Sequence, residues 1–389
     1  MPATTGQSTP AQEAGRPQPQ TTVQPAGGPF IRHAQSGRFR QYDLTGQAFS
    51  ANINQPLTAI PGYLRTLRLR TVATGGSTSA NVSTTADAPA SVYSLIQFYD
   101  AFGTPLLIGD GYSMAYVVGK YGGQFYSGGN EQKSAPTYSA IATASGASAG
   151  NFNFPTVLPV EIVKGIGTIS MANAALLPKL QLSLGASTAI YASAGAAPVV
   201  PTLEVRVDAD GYWLPDQPVA PPGLGTTCQW VLNQGNPTVA SSGTTIVTLP
   251  RQGGYLTGII PIFRDSTSAR VDAYGSQIQF YVDGVPVIDT TFNDLKDDIT
   301  NQFGLSTNTL TGGMTRDTGV LPITRKTSLG REIFGLLDTG EEWLSTSPGT
   351  SISIGCAPWG GFANTPRTLN VVAGQVVAAG ALVTGLPEA

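Results

Sequence analysis

The stretch GYLRTLRLRTVAT (62–74) decides the fold class. Leu64, Leu67 and Leu69 interleave with Arg65, Arg68 and Arg70 in near-alternation, and residues two apart share one face of a strand. One face is apolar and the other basic, as a half-buried strand requires. Downstream, SVYSLIQFYD (91–100) is rich in aromatic and β-branched residues. Leu106 to Ile108, a Gly-Asp-Gly break at 109–111 and Tyr112 to Val118 read as consecutive strands with tight turns. Residues 127–150 are small and polar and predict a surface loop. Strand patterns resume at Asn151 to Val163, Gly167 to Ala172, Leu180 to Leu184 and Leu203 to Val207.

The segment PDQPVAPPGLG (215–225) carries four prolines and marks a linker. The same grammar follows it, with strands at Cys228 to Leu232, Thr244 to Leu249, Tyr255 to Phe263 and Gln277 to Val282. Asp283-Gly284, set between two alternating runs, predicts a two-residue hairpin into Val285 to Thr291. One helix is expected, FNDLKDDITNQF (292–303), because Phe292, Leu295, Ile299 and Phe303 recur at helical spacing. Further strands are expected near Glu332 to Leu337, Ser351 to Cys356 and Thr368 to Val377, with the apolar run Val371 to Leu386 too short to span a membrane. Two halves, each with seven or eight strands, predict an all-β chain of two tandem sandwiches.

Composition agrees. The 389 residues include 47 Gly and 29 Pro, and only 12% are charged, which excludes helical bundles and coiled coils. The net charge of −3 argues against a chain that coats nucleic acid, but residues 1–70 carry +5 and the remainder −8. The first 28 residues hold almost no large apolar side chain and read as an arm. Within FIRHAQSGRFRQY (30–42), Phe30, Arg32, His33, Arg38, Phe39 and Arg40 form an aromatic and basic strip suited to an anionic surface or to a linker. Cys228 and Cys356 are too few for a disulfide framework or a zinc site and are expected as reduced thiols. No signal peptide is recognisable at the N-terminus, so folding in a cytoplasm is expected.

No complete catalytic constellation emerges. His33 is the sole histidine and lies in the arm, outside either expected sandwich, where nothing would hold it rigidly beside a nucleophile. Asp208 and Asp210 in VDADGYW begin like a calcium loop but lack its later ligands, and a turn after a strand is the simpler reading. Asp294, Asp297 and Asp298 suit the helix dipole better than an acid/base pair. Glu341 and Glu342 beside Trp343 are adjacent in sequence and would point apart on a strand. The expectation is therefore no enzyme, no cofactor and no bound metal, with a carbohydrate-active sandwich or a surface adhesin as the rival readings.

GYLRTLRLRTVAT (62–74), SVYSLIQFYDAFGTPL (91–106), LPKLQLSLG (177–185), GYLTGIIPIFRD (254–265) and the helix-bearing run 292–303 fall in an order that resembles the double jelly-roll major capsid proteins of tectivirus-like bacteriophages. The resemblance implies two eight-stranded jelly rolls, with an arm at 1–44, a first roll at 45–214, the linker at 215–225 and a second roll at 226–389. It also implies self-assembly as pseudo-hexameric homotrimers into an icosahedral shell around an internal membrane and genome. Partners would be neighbouring capsomers, minor capsid and vertex proteins, and anionic lipid, with no sequence-specific nucleic-acid binding. On this reading the arm faces the particle interior, where lipid head groups, nucleic-acid phosphates and a neighbouring capsomer all fit its charge.

Overall fold

The computed structural model describes residues 34–122, 141–161, 167–192, 200–213, 226–232, 238–239, 244–249, 254–265, 268–272, 277–303, 317–324, 344–345, 351–357 and 367–378. In the first half these form β1 (Gln35–Gln47), β2 (Asn52–Ile53), β3 (Gly62–Thr74), β4 (Ser77–Thr78), β5 (Tyr93–Tyr99), β6 (Pro105–Gly109), helix α1 (Gly111–Gly122), β7 (Gly146–Ala147), β8 (Phe152–Pro159), β9 (Ile169–Ser170), β10 (Lys179–Leu184) and β11 (Thr202–Trp213). The second half has β12 (Thr226–Leu232), β13 (Thr238–Val239), β14 (Thr245–Thr248), β15 (Tyr255–Arg264), β16 (Gln277–Val282), β17 (Val285–Thr290), helix α2 (Phe292–Phe303), β18 (Ile323–Thr324), β19 (Leu344–Ser345), β20 (Ile352–Ala357) and β21 (Arg367–Ala378).

Each half folds as a jelly roll. In the first, a sheet ordered β1-β11-β3-β8 faces one ordered β6-β5-β10-β2; in the second, β12-β21-β15-β18 faces β14-β20-β16-β17. The alternation in β3 works as the sequence predicts, with Leu64, Leu67 and Leu69 buried in a core shared with Ile96, Phe98, Leu180 and Val207. The second core gathers Val247, Ile259, Phe263, Ile278, Phe280 and Ile354, closed by Phe292, Leu295 and Ile299 of α2. The β16–β17 hairpin turns on Asp283 (φ 52°) and Gly284 (φ 78°), the two positive values of a primed turn that matches strand twist.

The rolls share one plan in detail. GYL begins at 62 in the first and at 254 in the second, and IQFY occupies 96–99 and 278–281. A bulge interrupts β3–β11 pairing at Arg65 and β15–β21 pairing at Thr257, and another falls at Phe98/Tyr99 and at Phe280/Tyr281. Both helices follow the same strand of their roll, α1 after β6 and α2 after β17.

Four expectations need correction. Tyr112 to Val118 is helical and belongs to α1, which has π-type winding. Its side chains from Tyr112 to Tyr121 are buried all round, so no amphipathic period marks it as a helix, while Asp110 anchors its start by accepting from the Ser113 N–H (2.9 Å) and Oγ (2.8 Å). Asp208 and Asp210 lie within β11 rather than in a turn after it. Residues 35–44, expected as arm, form most of β1, paired antiparallel with β11. Polar and apolar side chains interleave from Arg38 onward, and Phe39, Tyr42 and Leu44 pack on the first core. Within 127–150, Ile141 and Ala149 are core residues, and 127–140 lie outside the described residues, as do 332–337.

Candidate functional site

The two rolls meet along a seam. Strand β12 runs parallel to β6, with Trp230 opposite Leu107 and Val231 opposite Ile108, so a single ten-stranded sheet crosses both halves. Strand β15 is apolar on both faces: Ile259 and Phe263 enter the second core, whereas Ile260 and Ile262 join the first. Trp230 lies over Gly374, where a Cβ would stand 2.5 Å from the indole ring.

Buried charges fasten this seam. Lys120 of α1, from the first roll, reaches Asp317 of the second at 2.7 and 2.9 Å, and side chains on both sides are at most 3% exposed. Tyr121 Oη (2.5 Å) and Tyr116 Oη (3.3 Å) also donate to Asp317. Lys296 of α2 donates to the Asp317 and Val320 carbonyls (2.6 and 3.1 Å) and to Asp272 (2.9 Å). Arg270 crosses back to Asp87 (2.8 Å), Tyr112 Oη (2.7 Å) and the Ala86 carbonyl (2.9 Å), lying 4.0 Å over the Tyr112 ring. Arg264 takes the other Asp87 oxygen at 2.8 Å. Burial lowers the Lys296 pKa against the opposing pull of Asp272. Burial, reinforced by Asp317, holds the Tyr121 hydroxyl well above its ordinary value. Every charge here has a hydrogen-bonded partner, the condition under which buried ions are tolerated.

A second feature is the outer face of β1-β11-β3-β8. Arg38 bonds Asp210 at 2.8 Å, Arg68 shares the same carboxylate, Arg40 pairs with Asp208 and with Asp43 (2.9 Å), and Arg206 takes Asp43 (2.8 Å) and Glu204 (3.3 Å). Arg70 bonds only the Asn153 amide oxygen (2.9 Å) among the described residues. The five arginines, with Asp208 and Asn153, line an open groove of about 780 Å³. At the end of the sheet Glu161 is buried between Arg65 (2.6 Å) and Tyr212 (3.0 Å), and burial together with that carboxylate raises the Tyr212 hydroxyl to about 12.

Of the strip read from the sequence, Arg38, Phe39 and Arg40 are sheet residues, whereas Phe30, Arg32 and His33 lie outside the described residues. The structure brings Arg38 and Arg40 against Asp210 and Asp208, a union of two sequence features that were read separately. Thr291 caps α2, accepting from the Asp294 N–H (3.2 Å) and donating its hydroxyl to the Asp294 carboxylate (2.7 Å), and Asp297 and Asp298 are exposed. Glu341, Glu342 and Trp343 lie outside the described residues. Cys356 is a free, buried thiol, its pKa pushed up to about 12 by burial. No group of three or more His, Cys, Asp or Glu side chains placed to hold a metal occurs among the described residues. Lys120, Asp317, Asp87 and Arg270 were not singled out in the sequence, where the one available signal is charge inside otherwise apolar or turn-like runs.

No family model matches the sequence, and no curated protein sequence does. Solved structures do. The capsid protein of Sulfolobus turreted icosahedral virus superposes with a TM-score of 0.62 at 12% identity, over 88% of this chain and 97% of that one. The chain has the double jelly-roll fold. Bacteriophage PM2 major capsid protein P2 gives 0.51 at 10% identity, covering 90% of this double jelly roll and all of its own chain, at 100%. The PBCV-1 protein VP54, fitted into a reconstruction of the virophage Sputnik, gives 0.55 at 12% identity over 88% and 93%. These neighbours are structural capsid proteins, matched along nearly their whole length.

Proposed function

We propose that this chain is a major capsid protein that assembles into the shell of an icosahedral virion and has no catalytic role. The observation that carries the reading is the pair of like-built rolls joined by the seam. A continuous sheet and a buried ion network hold the two rolls as one rigid tile, and three such tiles present six similar faces, the geometry of a pseudo-hexagonal capsomer. The working unit is then a homotrimer of about 121 kDa, three times the 40.3 kDa chain, contacting neighbouring capsomers and minor capsid and vertex proteins after synthesis in the host cytoplasm.

Residues 215–225 serve as the linker between rolls. The segment through Phe30, Arg32 and His33 faces the interior, against anionic lipid of an internal membrane. Arg38 and Arg40 already have carboxylate partners in the sheet, so the lipid contact in this reading falls mainly to the residues before Gln35. Light scattering and negative-stain imaging of purified protein test the function: trimeric tiles or shells are expected, and a stable monomer throughout the micromolar range refutes it.

A further inference from the structure

The likeness of the two rolls allows one to predict what the other lacks. Aligning the bulges at Arg65 and Thr257 equates Arg68 with Ile260, Arg70 with Ile262, Asp208 with Val372 and Asp210 with Gly374. Arg38, opposite Asp210, then matches Trp230, opposite Gly374. Aligning the bulges at Phe98/Tyr99 and Phe280/Tyr281 equates Leu107 with Ile288 and Ile108 with Asp289.

In the second roll this outer face is apolar, and Trp230, Ile260, Ile262 and Val372 are buried with the first core, to which α1 contributes Met114, Val117 and Val118. The corresponding face of the first roll is charged and exposed, and forms the arginine-lined groove. The helices differ in the matching sense. Residues 112–121 of α1 are buried throughout, but α2 buries Phe292, Leu295 and Ile299 and leaves Asp294, Asp297 and Asp298 exposed. An apolar face therefore meets an apolar helix within the chain, and an arginine-lined groove, in which Arg70 has no carboxylate partner among the described residues, and an acidic helix are left over. The sheet edges repeat the pattern: β6 is covered by β12, while β17 and β1 each have one neighbouring strand among the described residues.

We propose that the groove of one copy receives the acidic face of α2 from a second copy, repeating between chains the junction that joins the rolls within a chain. Strand β17 comes alongside β1 in parallel, with Ile288 opposite Arg38 and Asp289 opposite Phe39. Asp294, Asp297 and Asp298 lie over Arg68, Arg70 and Arg206. Such a contact is heterologous, head to tail, and closes after three copies because each chain supplies two of six like junctions. The inference rests on the capsomer reading and adds its contact residues.

Charge reversal tests it, with stoichiometry read by light scattering and melting temperature as the control for folding. Asp297→Arg with Asp298→Arg, both at exposed positions, should weaken the trimer by on the order of tenfold or more, and Arg38→Glu with Arg70→Glu should do the same. Combining all four substitutions should recover the trimer. High salt should weaken the wild-type assembly. A wild-type trimer indifferent to both reversals, or one that the combined variant fails to recover, overturns the contact and leaves the capsid reading standing. A wild-type monomer overturns both.

Discussion

Lys120→Met removes the ammonium that bonds the Asp317 carboxylate, which is fully buried, and leaves the Lys296 ammonium only on the Asp317 backbone carbonyl. Breaking one side of a buried pair costs about 3–5 kcal/mol, most of it the burden of the stranded ion. Unfolding entropy is roughly 2.1 cal/mol/K per residue, so a 389-residue unit melting cooperatively should lose about 4–6 °C, and one roll melting alone about twice that. Differential scanning calorimetry gives both the shift and the number of transitions. The double variant Lys120→Met with Asp317→Asn should be milder than Asp317→Asn alone. The asparagine oxygen still accepts from Tyr121 and Tyr116, the methionine fills the lysine stem, and no ion is left unpaired. A single Lys120→Met variant that melts within about 1 °C of wild type would show that the pair is solvated in solution, and the account of the seam would fail.

Three further outcomes are expected. Gly374→Ala places a methyl 2.5 Å from the Trp230 ring and should cost about 1–3 kcal/mol by overpacking, relieved in part by Trp230→Phe, as thermal denaturation of the three variants will show. Gly284→Val has open space but a φ of +78°, so it should lose about 1–3 kcal/mol through backbone strain alone, measured by urea titration. Cys356 keeps its proton to about pH 12 when folded against 9.0 as a free thiol. The unfolded chain therefore binds fewer protons between those values, and stability, complete below pH 9, should fall with rising pH by about 1.4 kcal/mol per unit. Cys356→Ala should flatten that part of the alkaline denaturation profile, and an unchanged slope would contradict the burial.

Strands with one wet face were legible because alternation survives in them: β3 shows its leucines and arginines in turn, and the β16–β17 hairpin shows both its runs and its Asp-Gly turn. Helix α2 was legible for the same reason, since one side is acidic. Helix α1 was not, because burial on every side erases the period and leaves an apolar, aromatic run that matches a strand equally well. The ion network was hidden for a different reason. Lys120 and Asp317 are far apart in sequence, and a charge inside an apolar or turn-like run does not reveal its partner. Arg38 and Arg40 are visible as a basic strip, but VDADGYW reads as a turn, and only the β1–β11 register unites the arginines with Asp208 and Asp210.

The divergence between the rolls has a physical logic that bears on assembly. GYL and IQFY recur where each roll has the same bulge and buries the same leucine, isoleucine and phenylalanine. The equivalent outer faces instead carry Ile260, Ile262 and Trp230 in one roll and Arg68, Arg70 and Arg38 in the other. An apolar junction is suited to a permanent contact made as the chain folds, since it buries surface that could not stay exposed without aggregating. A charged junction suits a contact made later between soluble copies, where complementary fields speed encounter and penalise wrong pairings. If the two faces were alike and apolar, roll could dock on roll in either order and growth need not close. In the proposed trimer, different chemistries on the two junctions would fix which end meets which, and head-to-tail contacts of one kind around a three-fold axis would close into a ring.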